Sequence, residues 1–547
     1  MTAYTAHIDT FARDNLPPRA QWPEFRFDLP QLRYPKRLNA TAELLDRWVE
    51  GGEGGRRCVL APGLEWSYGE LHDRVDRIAN VLVGDLGLAP GNRLLLRAPN
   101  NPMMVAVYLA ALKAGAVVVA TMPLLRPREL AYMIDKANIS HAACDARLAE
   151  DLEKARSAGE SLKHVVYFAT DSAGGLEALM AAAPGDFAPV ETAAEDVCLI
   201  GFTSGTTGRP KGTMHFHRDL LATCDTYGRH VLQPRDDDLF IGSPPIAFTF
   251  GLGGLVLFPM RVGAASVLIE QAAPPKLIEA IEAFRPTVCF TAPTAYRAMA
   301  NMLDRHDVSS LRTCVSAGEP LPGPTWDSWF DRTGIKILDG IGSTEMLHIF
   351  IGAPLDKLRP GATGLPVPGY EARVIDETGK DVAAGKTGRL AVRGPTGCRY
   401  LADERQLAYV VDGWNVTGDT YVKDADGYYW FQARADDMIV SSGYNIAGPE
   451  VEEALLSHPA VAECGVVGAP DEERGQIVTA YVVLKACHRG DAAMSMALDD
   501  HVKSEIAPYK HPRLIHFVDS LPRTQTGKLQ RYVLRQWAGA PGRMEAS

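Results

Sequence analysis

Residues 203–212 read TSGTTGRPKG, and with Thr213 they gather five hydroxyl side chains, three glycines and two cations into one loop. Glycine lets backbone N–H groups turn inward, hydroxyls add donors, and Lys211 adds a point charge. This is the chemistry of a loop that wraps a polyphosphate. Thr203, Ser204, Gly205, Thr206, Thr207, Gly208 and Lys211 are its candidate phosphate contacts. The loop is not a Walker A motif, which would need Gly in place of Pro210 and Ser or Thr in place of Gly212. Pro210 also lacks the N–H that such a cradle would use. A Gly/Ser/Thr linker is the bland alternative, but linkers rarely follow a buried apolar run such as VCLIGF at 197–202.

Further motifs follow in order: SAGE at 316–319, GSTE within DGIGSTEMLHIF, WNVTGD at 414–419, RADD at 434–437, SSGYNI at 441–446 and PRTQTGK at 522–528. Together with the loop they resemble the adenylate-forming superfamily: acyl-CoA and aryl-CoA synthetases, luciferases and the adenylation domains of peptide synthetases. The resemblance spans essentially the whole chain. It implies ATP, magnesium and coenzyme A as reactants and cofactor. It assigns Thr344 to the α-phosphate and Glu345 to magnesium through an oxygen ligand. A Ser/Thr helix cap with an acidic first turn would be the ordinary alternative there. Gly318 and Glu319 fall on the adenine face, with Gly318 allowing close backbone approach. Asp419 and Arg434, 15 residues apart, fall on the ribose. An Asp after Gly is otherwise an Asx-turn residue. Lys528 would neutralise charge on the carboxylate and α-phosphate during adenylation, acting as preorganised electrostatic stabilisation. Asp436 is the implied hinge between body and lid. Ser442 and Gly443 are the implied lining of the pantetheine tunnel.

The chemistry is coherent. A carboxylate is a poor acyl donor because oxide would have to leave. Coupling it to AMP supplies a leaving group that a thiol can displace. In the family that the chain resembles, the acyl pocket is lined by the residues before STE and by a segment that here reads PPIAFTFGLG at 244–253, with Phe248 and Phe250 and no acid. Amino-acid-activating members place an Asp in that segment to pair the α-ammonium, which would be costly to bury unpaired, so the resemblance disfavours an amino-acid substrate. An aniline nitrogen, uncharged near neutral pH, would not need that Asp. Phe248, Phe250, Gly340, Gly342 and His348 predict a flat slot for a planar aromatic carboxylate, with a packed core histidine as the alternative reading of His348. The GIGSTEMLHIF segment resembles benzoate–CoA ligases, and the N-terminal arm and 439–455 resemble 2-aminobenzoate–CoA ligases. A medium-chain acyl-CoA ligase and a luciferase-like oxidoreductase that uses the adenylate are the competing readings.

These motifs need a layered α/β frame. Ser67 and Glu70 form a capping-box pattern, and Leu71, Val75, Ile78 and Leu82 recur at helical spacing. RLLLR at 93–97 and AVVVA at 116–120 are short continuous apolar runs, as in strands covered on both faces. The run 103–125 is broken by Lys113 and Gly115, so a buried helix leading into a buried strand is predicted rather than a membrane span. Alternating helix and strand signals to about residue 350 predict mainly parallel sheets. Gly-punctuated alternation predicts a β-rich subdomain over about 361–435. The resulting division is an AMP-binding body over 1–435 and a mobile α+β lid over 436–547.

The 547 residues allow about three to four domains by length. A net charge of −11 argues against nucleic acid as a partner. Nine Cys without a CxxC pair predict scattered reduced thiols rather than disulfides or zinc ligands. No apolar signal-type stretch opens the sequence. A cytoplasmic enzyme without a membrane partner is expected, and family habit adds a homodimer.

Overall fold

The computed structural model describes residues 4–203, 210–434, 437–441, 444–471, 474–506, 510–524 and 527–539. Ser204, Gly205, Thr206, Thr207, Gly208, Asp436, Ser442 and Gly443 lie outside them.

Four sheets organise the described residues. The first has six strands in the order His164–Phe168, His141–Asp145, Arg93–Arg97, Val117–Thr121, Val197–Thr203, Lys211–Phe216. All neighbours are parallel except the last pair. The second sheet has nine strands. Its centre is parallel, running Ile337–Gly342, Thr313–Ser316, Val288–Thr291, Leu239–Gly242, Ala265–Val267, Arg57–Ala61, and antiparallel strands close both edges. The buried Val, Leu and Ile runs fit sheets covered on both faces.

Between them lies the helix Pro102–Lys113, buried almost all round. Asn101 caps it by accepting the Met104 N–H at 2.9 Å, and Pro102 stands where no intrahelical N–H is required. The predicted capping box is present at Ser67 and Glu70, opening the helix Tyr68–Asn80. The run at 93–97 is apolar only in its centre. Arg93 and Arg97 are themselves buried and donate to backbone carbonyls, Arg97 to Met122, Pro123 and Leu125.

The third sheet is antiparallel and holds Glu371–Ile375, Thr387–Arg393, Trp414–Lys423 and Tyr429–Arg434. The fourth, in the C-terminal unit, pairs Val461–Asp471 with Gly475–Leu484 and adds Leu514–Phe517 in parallel. Helices Gly448–Ser457, Ala492–Glu505 and Arg531–Gly539 cover it. The irregular arm packs on the body: the Trp22 ring lies 5.7 Å from that of Phe216, and Leu38 N–H donates to Thr192 O. All nine Cys are free, eight of them buried. Among the described residues no helix is long and apolar enough to cross a membrane.

Candidate active site

The first sheet supplies the mouth of the predicted phosphate loop. Thr203 and Lys211 are direct cross-strand partners, so the loop begins and ends at one point of the sheet. Thr203 Oγ1 is buried with no hydrogen-bond partner among the described residues.

The second sheet supplies Thr344 and Glu345. Strand Ile337–Gly342 runs into Ser343, turns, and returns as Ile349–Gly352. Ser343 Oγ accepts the Met346 N–H at 3.2 Å, a cap-like bond, but a strand follows and not a helix. Leu347 holds φ at +69°, a left-handed conformation that strains a branched residue. Neighbouring segments hold this turn. His215 Nε2 donates to Thr344 O at 2.7 Å, and Thr396 Oγ1 donates to Met346 O at 2.7 Å.

Behind His215 stands a buried ion pair. Asp219 hydrogen-bonds the Arg399 guanidinium, which lies 3.9 Å over the Phe216 ring. Burial alone would raise the Asp219 pKa; Arg399 and then His215 overcome it and hold the carboxylate at about 2. Residues 399–401 also pair with strand Lys211–Phe216: Met214 N–H donates to Arg399 O and Leu401 N–H to Gly212 O, both at 2.8 Å. Tyr400 is thereby set opposite Thr213, beside Lys211. Its hydroxyl donates to Glu345 Oε1 at 2.6 Å and accepts from Lys211 Nζ at 2.6 Å.

Asp419 stands inside the ten-residue strand Trp414–Lys423, not in a turn. Cross-strand register sets it against Arg434, with Nη1 3.1 Å from Oδ1. A Cβ on Gly418 would stand 2.5 Å from Arg434 Nη2, so the bare backbone makes room for the guanidinium. Burial raises the Asp419 pKa, and Arg434 opposes it.

The C-terminal unit delivers Lys528. Thr524 N–H donates to Lys528 O at 2.7 Å, and Lys528 N–H donates to Thr524 Oγ1 at 3.0 Å, closing a turn whose Gly527 has φ +86°. The side chain reaches Gly318 of the body, which has φ +92°. The ammonium is open to the cleft yet crowded by protein. That crowding lowers its pKa below the usual lysine value, against the opposing pull of Glu319. Arg434 lowers it further, while Asp419 and Glu345 raise it. Glu319 is itself raised by burial, opposed by Arg523, whose Nη1 lies 3.8 Å away, and by Lys528. The two units also meet where Arg297 lies 3.5 Å from Glu463 and where Gly323 N–H donates to Glu453.

A recess beside Thr344 is lined by Tyr108, Gly201, Phe202, Ile246, Phe248 and Leu252, with Leu199, Ala247 and Thr249. Phe248 is therefore at the recess. Phe250 and His348 form the adjoining aromatic cluster, 5.9 Å apart by ring centroids, with Tyr227 and Phe258 against His348. Burial lowers the His348 pKa to about 3, so it is neutral at pH 7. Gly253 makes room for it: a Cβ there would stand 2.3 Å from His348 Cδ2. The bare faces of Gly340 and Gly342 turn to the partner strand, where a Cβ would meet Ile349 Cγ2 at 2.7 Å and the His348 carbonyl carbon at 2.8 Å.

Sequence reasoning missed four residues that the structure brings to this site: His215, Leu347, Tyr400 and Asp339. Asp339 pairs in register with Ser316, one strand from the Gly318 turn. Burial pushes its carboxyl up to about 8, and Oδ1 has no partner among the described residues. Its place three positions before the GSTE motif, in the middle of the strand Ile337–Gly342, was the available signal. His215 and Tyr400 carried none.

Glu345 also fits a divalent cation. It is a hard oxygen donor in a nearly buried position, and no cluster of three or more His, Cys, Asp or Glu stands among the described residues. One carboxylate suits magnesium, which keeps most of its shell from phosphate oxygens and water.

Comparison with known proteins gives the family. A family model for AMP-binding enzymes matches residues 45–400, and one for the AMP-binding enzyme C-terminal domain matches residues 450–528. The chain belongs to this family, the adenylate-forming superfamily, and is an acid–thiol ligase. It is 36% identical over 512 residues to the benzoate–CoA ligase of Thauera aromatica, covering 92% of this chain and 97% of that one. It is 34% identical to the 4-hydroxybenzoate–CoA/benzoate–CoA ligase of Rhodopseudomonas palustris, covering 91% and 94%. A crystal structure of an anthranilate CoA ligase in complex with anthranoyl-AMP superposes with a TM-score of 0.88 at 34% identity, covering 93% and 99%. A benzoate CoA ligase from Burkholderia xenovorans superposes with a TM-score of 0.82 at 32% identity, covering 91% and 100%.

Proposed function

We propose that 2-aminobenzoate or benzoate is the acid activated by this aryl-CoA ligase. A carboxylate oxygen bonds to the α-phosphorus of ATP while pyrophosphate leaves. The CoA sulfur, its proton lost, then bonds to the acyl carbon while AMP leaves. The observation that carries this reading is the approach of Lys528, from the C-terminal unit, to Gly318 and the Asp419–Arg434 pair of the body. This brings one cation from the C-terminal unit against the turn that the family resemblance assigns to the adenine, and the Asp419–Arg434 pair is among the charges that act on it.

Thr203, Ser204, Gly205, Thr206, Thr207, Gly208 and Lys211 hold the polyphosphate, and Thr344 the α-phosphate. Asp419 and Arg434 hold the ribose. Asp339, neutral at pH 7, offers the adenine edge both a donor and an acceptor. Glu345 holds magnesium, which when bound adds Lewis-acid charge over the phosphate oxygens. The C-terminal unit then turns about Asp436, and the Ser442–Gly443 backbone lines the CoA tunnel. Such alternation lets one cleft serve two transition states while water is kept from the adenylate.

An aromatic ring is supported by Phe248 at the recess beside Thr344, whose lining residues include no carboxylate to receive an ammonium; the recess itself, at about 10 Å³, has to open to admit a ring. Tyr108 adds a buried hydroxyl without a partner among the described residues, which a ring amino group would satisfy. Family resemblance supports a cytoplasmic homodimer. The test is CoA-dependent AMP formation from ATP and magnesium against benzoate, 2-aminobenzoate, 4-hydroxybenzoate, phenylacetate and octanoate. The two named acids should turn over fastest. Preference for octanoate would reject the aryl reading.

A further inference from the structure

Tyr400 is almost fully buried, at 1% exposure. Its hydroxyl is the middle of a three-part chain: Lys211 Nζ donates to it, and it donates to Glu345 Oε1, both at 2.6 Å. Lys211 Nζ also stands 4.6 Å over the Tyr400 ring and 5.8 Å over that of Tyr409. The cation and the carboxylate are themselves 3.5 Å apart, longer than a direct charge-assisted hydrogen bond. The phenol is therefore a spacer. It satisfies both charges and keeps them from closing on each other.

We propose that Tyr400 is a positioning residue for the polyphosphate and magnesium site, holding Lys211 and Glu345 apart and ready for magnesium–ATP. This rests on the adenylating role proposed above for those two residues. The physical reason is competition. A phosphate group has to recruit Lys211, and magnesium has to recruit Glu345. From the bridged arrangement each ion gives up one hydrogen bond to a neutral hydroxyl. Without the hydroxyl, the two opposite charges face each other in a partly desolvated pocket and pair directly. A direct pair of that kind is harder to open than two bonds to a phenol. The backbone supports the role. Residues 399–401 pair with strand Lys211–Phe216, and Tyr400 N–H donates to Gln406 Oε1 at 2.9 Å. The ring therefore cannot follow Lys211 when it moves.

The test is calorimetric titration of wild type and Tyr400→Phe with magnesium–ATP in the absence of acid and CoA, and separately with AMP. AMP lacks the β- and γ-phosphates that Lys211 would hold, so it reports on general damage to the nucleotide site. Tyr400→Phe should weaken magnesium–ATP about tenfold more than it weakens AMP, equivalent to about 1.4 kcal/mol. Equal weakening of both, or no change in either, would overturn the proposal. Should the Phe variant lose its cooperative melting transition, 4-aminophenylalanine at position 400 runs the same pair of titrations. It keeps a donor toward Glu345 and removes the acceptor that seats Lys211, and the same excess loss for magnesium–ATP is expected. A wild type that binds neither nucleotide would sink the adenylating reading itself. A wild type that binds both, with an unchanged ratio in the variant, sinks only the role of Tyr400.

Discussion

Lys528 lies over the bare backbone of Gly318, where a Cβ would stand 3.6 Å from its Cε and 3.9 Å from its Nζ. One residue comes from the C-terminal unit and the other from the body. The contact joins the two units across the cleft, and under the function proposed above it brings the cation to the side where adenylation would occur.

Replacing that cation should separate the two half-reactions. Lys528→Ala is expected to slow acid-dependent pyrophosphate exchange by about 10²–10³-fold, the scale of losing one preorganised charge donor. Thioester formation from supplied aryl-AMP should fall far less. Equal loss in both assays would count against an adenylation-specific role.

The Asp419–Arg434 pair depends on Gly418. In Gly418→Ala the new methyl displaces the guanidinium, a flexible group that can swing away, so the strand need not shift, but the buried Asp419 carboxylate loses its partner and the melting temperature should fall. The ribose contact suffers as well. Losing a hydrogen bond to a charged group weakens ATP binding by about 1.5–3 kcal/mol. A nucleotide titration beside a thermal melt reads both quantities, and unchanged affinity would reject the ribose assignment.

Asp219 and Arg399 are both fully buried behind His215. Arg399→Leu leaves an uncompensated buried carboxylate and should cost about 3–5 kcal/mol in urea unfolding. The double variant Arg399→Leu with Asp219→Leu should recover most of that. A double variant no more stable than Arg399→Leu would show that packing, not charge, dominates there.

His348 ties stability to pH. Burial lowers its folded pKa to about 3 from 6.5. Between those values the unfolded chain binds a proton that the folded chain does not, so stability falls as pH falls below 6.5. By pH 5 the loss from this one group is about 2 kcal/mol relative to pH 7. His348→Phe keeps an aromatic ring in the cluster and removes the titration. Unfolding free energies at pH 7 and 5 should therefore differ less in the variant, by that amount.

Much of this was legible in the residues. The apolar run 197–202 ahead of a Gly-rich loop, the capping box at Ser67 and Glu70, and the alternation over 387–393 each declare local structure, because turn chemistry and side-chain period act over a few residues. The ordered motifs also declared the family. Other features depend on pairings across long stretches of chain. His215 meets Thr344 across 129 positions, Tyr400 meets Glu345 across 55, and Lys211 meets Tyr400 across 189. The same is true of the faces of Gly340 and Gly342, which turn to the partner strand, and of His348, which is neutral because Tyr227, Phe250 and Phe258 enclose it. Sequence alone determined which chemical groups this protein carries and in what order, since those are covalent facts with short-range consequences. Tertiary structure alone decided which groups share a charge, a proton or a wall, since desolvation and hydrogen bonding depend on what the folded chain packs around each one.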